Sequence, residues 1–147
     1  MRELLATAIL AALTAFSMAL PAYTCSTSQN FQNIRTIQLS SPIITNLLQA
    51  PDGTQHIVRL EAGLGINNTD PAAADEFIES LMQREIIILD RINNTLRRTT
   101  AEEISKPDGM ELLAQEILTS LQDAFNTNLI VDVYIVQIII QEGNVAR

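Results

Sequence analysis

The stretch from Ser105 to Gln141 constrains the fold most, because helix, turn and strand signals agree along one continuous span. Ser105 is placed to cap a helix whose first turn holds Pro107 and Asp108, with Asp108 reaching back as reciprocal partner. Met110, Leu113, Ile117, Leu121, Ala124 and Phe125 recur at three- and four-residue spacing, with Glu111, Gln115, Glu116, Thr119, Gln122 and Asp123 on the other side. That spacing predicts a helix with one packed and one wet face. After Asn126, Thr127 and Asn128, the run Leu129–Ile140 is rich in β-branched residues and apolar on both alternating faces, which fits a covered strand. Strict alternation puts Ile130, Tyr134, Val136, Ile138 and Ile140 on one face and Val131, Val133, Ile135 and Ile139 on the other. A helix layer clothes only one face, so the other is expected to be an apolar interaction patch. Tyr134, Val136 and Ile138, or Val133 and Ile135 behind them, are the candidate surface. The bland reading is that the first helix, or a linker through Phe31 and Ile34, folds over the second face.

Upstream, a first strand is expected over Ile37–Leu48, interrupted near Pro42, and Pro51, Asp52, Gly53 and Thr54 turn the chain back. In the next strand Val58, Leu60, Ala62, Leu64 and Ile66 point one way, and Ile57, Arg59, Glu61, Gly63 and Gly65 the other. Asp70 and Pro71 open a helix with an apolar stripe of Phe77, Leu81 and Met82, ending near Arg84. Ile88, Ile92 and Leu96 at four-residue spacing make Glu85–Arg98 helical, and Thr100 with Glu103 forms a capping box for one more turn. The expected class is α+β: a small antiparallel sheet with helices packed on one face, preceded by one N-terminal membrane segment.

That segment is read from residues 4 to 34, which carry no charge, and within them from Leu4–Ala22, which is continuously apolar or small. Two fates are open, a retained span of about minimum length or a cleaved secretory signal with Ser17, Met18 and Ala19 as its small-residue site. Either exports the remainder. The expected organisation is anchor or signal over 1–24, a polar linker over 25–36 and an extracytoplasmic domain over 37–147. Cys25 is the sole cysteine, which excludes an internal disulfide. Its position suggests lipidation, but Thr24 stands where a small residue is usually wanted, so a plain exposed thiol or an intermolecular disulfide is the better reading.

A formal charge of -8 argues against nucleic acid, whose recognition needs clustered Lys and Arg. With one His and one Cys, the latter in the linker, neither a Cys-His nucleophile nor a zinc site is expected. His56 reads as a partly covered strand-edge residue. The pairs Glu102-Glu103 and Asp75-Glu76 fall in helix first turns, where acids favour the dipole, and no phosphate loop or dinucleotide fingerprint appears. No catalytic residue, cofactor or metal is expected, and the chain reads as an interaction module.

The order of these elements resembles the extracytoplasmic domain of the flagellar basal-body-associated FliL family. The strand Val131–Gln141, with its Val133-Tyr134 pair and terminal Gln141, is similar to that family's closing strand. Leu96–Ile104, then Pro107, Asp108 and Gly109, then Leu113–Ile117 resemble its turn, glycine and Leu-x-x-Glu-Ile helix. Ile43–Leu47 looks like its first strand and Asp70-Pro71 like its helix start, so the likeness runs over about residues 37 to 141. The resemblance implies a stomatin-like α+β fold, a single retained inner-membrane span with the domain in the periplasm, and homo-oligomerisation. It also implies a non-enzymatic role beside the flagellar basal body and stator in support of motility. The chain departs from the family in lacking a longer charged tail before the span. The alternative function is an exported, Cys25-anchored enzyme or ligand-binding domain of unknown substrate.

Overall fold

The computed structural model describes residues 33–143. The expected membrane segment, Cys25 and Phe31 lie outside the described residues. The order is β1 (Ile34–Gln38), β2 (Ile43–Asn46), β3 (His56–Asn67), α1 (Pro71–Gln83), α2 (Glu85–Leu96), α3 (Ala101–Ile104), α4 (Gly109–Phe125) and β4 (Ile130–Glu142). The class is α+β with an all-antiparallel sheet, as the periodicities require.

β3 is the axis of the sheet. It pairs with β4 from His56↔Glu142 to Ile66↔Ile130. Its other edge is shared by two strands end to end, β2 against Leu60–Ile57 and β1 against Asn67–Gly63. The interruption expected near Pro42 in the strand over Ile37–Leu48 falls at Leu39–Pro42, where Pro42 has no amide to give the ladder, and the first of the two strands begins earlier than expected, at Ile34. The two ends are fastened separately: the amide of Leu39 donates to Ala62 O at 3.1 Å, and that of Leu47 to His56 O at 2.9 Å.

The alternation read in β3 fixes the core. Val58, Leu60, Leu64 and Ile66 are fully buried, Ala62 nearly so, and α1, α2 and α4 cover this face through Leu81, through Ile88, Ile92 and Leu96, and through Leu113, Ile117 and Leu121. Each of these large aliphatic side chains contributes about 1.5–3 kcal/mol by leaving water. Asp70 caps α1, its carboxylate accepting from the amides of Ala72 at 3.1 Å and Ala73 at 3.3 Å, with Pro71 in the first turn. The Thr100–Glu103 capping box forms with both reciprocal bonds and starts the four-residue α3.

That short helix overturns the expected start of α4. Ser105 is the C-cap of α3, its hydroxyl donating back to Ala101 O at 2.8 Å, so its side chain serves the end of that helix and not the start of the next. The helix begins instead at Gly109, after Asp108, whose side chain makes no cap bond. Glycine is required there, since a Cβ would lie 2.1 Å from Glu103 O and 2.6 Å from Ile104 O. At its far end Asn126 adopts the left-handed conformation (φ 48°) that ends many helices, and four residues later β4 begins.

Candidate interaction surfaces

Two bulges decide which way β4 presents its side chains. The register slips between Glu61 and Ala62 and again between Gly65 and Ile66, leaving Val136 and Val131 as extra residues on β4. Directly opposed residues of an antiparallel pair share a face. Ile130, Val133, Ile135, Ile138 and Ile140 therefore lie with Ile66, Leu64, Ala62, Leu60 and Val58 on the helix side. Asp132, Tyr134, Gln137, Ile139 and Gln141 lie with Gly65, Gly63, Glu61, Arg59 and Ile57 on the outer side.

This corrects the strict alternation expected of β4, in which Tyr134 and Ile138 shared one face and Val133 and Ile135 the other. It also removes the continuous apolar outer face, since each slip returns aliphatic residues to the core and leaves polar ones outside. Val133 is buried, and Ile135 and Ile138 are partly buried against the core. Val136, on its bulge, is 59% exposed. Tyr134 lies across the outer face with its ring edge 3.2 Å from where a Cβ on Gly65 would stand, so Gly65 leaves room for the aromatic ring. Burial of the phenol, with the Asp132 carboxylate beside it, pushes Tyr134 above its ordinary value of 10.0.

The outer face is mixed. Arg59 and Glu61 pair on it at 2.6 Å, and Ile57 and Ile139 are half-exposed beside them. A second aliphatic exposure lies at the β2 edge, where Ile44 and Ile86 are 66% and 78% exposed and line one shallow depression with Pro42 and Leu89. Sequence reasoning missed this pair, yet a signal was there. The α2 stripe of Ile88, Ile92 and Leu96 leaves Ile86 and Ile87 off the packed face.

His56 begins β3 as a partly covered residue, its Nδ1 buried without a partner. Among the described residues no three His, Cys, Asp or Glu side chains group to hold a metal ion. Asp75 pairs with Arg35 of β1, and Glu103 is occupied by its cap, where hydrogen bonds from the Thr100 backbone and hydroxyl hold it below the ordinary carboxylate range. An open groove between α2 and α4 is lined by Thr95, Arg98, Leu112, Gln115, Glu116, Thr119 and Asp123. Among the described residues no helix is long and apolar enough to cross a membrane.

A four-stranded antiparallel sheet under a helical layer, with aliphatic side chains exposed on β2, α2 and β4, defines a small α+β domain. The profile of the flagellar basal body-associated protein FliL matches residues 36–141, from within β1 to the penultimate residue of β4, so the chain belongs to the FliL family. No curated protein matches it.

Proposed function

We propose that this chain is a non-enzymatic accessory protein of the flagellar motor that associates with basal body and stator and supports motility. Residues 4–22 hold it in the inner membrane as a single span, and the domain stands in the periplasm, joined by residues 25–33, which reach at most about 30 Å. The observation that carries this reading is the family match over residues 36–141. Copies assemble with one another and with the stator through β4 side chains that include the exposed Val136 on its bulge and the half-buried Tyr134 on the outer face. Val133, Ile135 and Ile138 brace that strand from the core side. Binding biases the stator toward its engaged state because the domain contacts that state more favourably, a population shift that needs no catalytic group.

A deletion strain tests this. Swimming is expected to fall most in viscous medium, where torque demand is high, and a fluorescent fusion is expected at flagellar bases only while the stator is present. Unchanged motility together with a diffuse fusion would overturn the reading.

A further inference from the structure

Among the described residues β4 is an edge strand along its whole length, with β3 as its one strand partner. In an antiparallel ladder every second residue turns its amide and carbonyl away from the neighbouring strand. The bonds from Gly143 N to Gln55 O and from Asn67 N to Leu129 O set the phase on either side of the bulges. By that phase Ile130, Val133, Ile135, Ile138, Ile140 and Glu142 direct their backbone outward.

The beginning of this edge is blunted. Gln122 Nε2 donates to Ile130 O at 2.8 Å, and the Val133 amide donates to Asp132 Oδ1 at 2.8 Å. From Ile135 to Glu142 no described side chain bonds the outward groups. Such a row of free donors and acceptors is a template for another strand. Beside the blunted end lies a groove of about 510 Å³ between α4 and the strand, lined by Ile34, Ala114, Leu118 and Val131 with the acids Glu111 and Asp132, and by no Lys or Arg.

We infer that the β4 edge binds an extended segment of another protein, with alternating apolar residues that add to the sheet over Ile135–Glu142 and a basic residue entering the groove between Glu111 and Asp132. The ladder supplies sequence-independent backbone bonds. The groove supplies selectivity, an aliphatic contact on Ala114 and Leu118 and attraction for a cation. A second copy fits poorly, because a strand from a chain of net charge -8, with Asp132 and Glu142 at the ends of its own β4, would meet like charge. The inference rests on the sheet and groove and holds whichever assembly the chain serves.

The test uses the full-length chain in neutral detergent and a synthetic ten-residue peptide of alternating Val and Thr ending in Arg-Lys, followed by amide exchange in magnetic resonance. The amides of Ile135, Ile138, Ile140 and Glu142 are expected to exchange about tenfold more slowly with peptide bound. The same peptide N-methylated at alternate residues is expected to give no protection. A Glu-Glu ending is expected to bind about tenfold more weakly, and Glu111→Lys, on an exposed helix position, to narrow or reverse that preference. Equal protection by the N-methylated peptide would reduce the contact to charge alone and overturn the proposal. So would absence of protection, or edge amides already slow in a peptide-free oligomer, which would make a second copy the occupant.

Discussion

Gly109 shows how much one missing methyl group decides. Its amide closes the turn after α3 by donating to Lys106 O at 2.9 Å, and its Cα faces two carbonyls that belong to the preceding helix. Backbone cannot step aside as a flexible side chain does, so Gly109→Ala is expected at the top of the overpacking range, about 3 kcal/mol of lost stability in urea titration. Asp52 and Glu103 make the complementary case at the surface. The amide of Thr54 holds Asp52, and the Thr100 backbone holds Glu103, below ordinary values of 3.8 and 4.5. A depressed folded-state value means the contribution is complete above the unfolded value and disappears as pH falls through the folded one. Between about pH 5 and 3 the wild type is therefore expected to lose more stability than the Glu103→Gln, Asp52→Asn double variant, measured as urea midpoints across that range.

At the scale of the element, β4 separates what local pattern encodes from what it does not. β3 was legible residue by residue: its uninterrupted alternation of Val58, Leu60, Ala62, Leu64 and Ile66 is the core face observed. The caps at Asp70 and Thr100 were legible too, since a side chain and the amide it serves are three residues apart or fewer. The faces of β4 were not, because a bulge is a relation between two strands and neither Val131 nor Val136 carries a local mark of it. Ser105 misled for a similar reason, being suited to start a helix but already spent on ending one. The bulges make a sharp prediction. Val133→Lys places an unpaired charge in the core and is expected to cost more than about 4 kcal/mol or prevent folding. Val136→Lys, at an exposed bulge, is expected to shift stability by no more than about 0.5 kcal/mol. Thermal melts by circular dichroism compare the two, and crosslinking in cells reports whether the folded Val136→Lys protein still assembles.

For the whole molecule, the proposed topology gives a prediction of its own: alkaline phosphatase fused after Arg147 is expected to be active in intact cells, whereas an inactive fusion would place the domain on the other side of the membrane. The arrangement of β3 bears on what that tethering demands. Asn33, where the described chain enters, accepts from the Asn68 amide beyond the end of β3, whereas Gly143 is fastened to Gln55 before its beginning. Entry and exit thus stand at opposite ends of a twelve-residue strand, roughly 40 Å apart. A pull between a tether at Asn33 and a load near Gly143 runs along the strands, perpendicular to the ladder bonds that β3 makes with β1 and β4. Those bonds are then loaded in shear and must fail together, instead of unzipping one at a time from an end. Under the proposed tethering, the sheet carries tension as a tie.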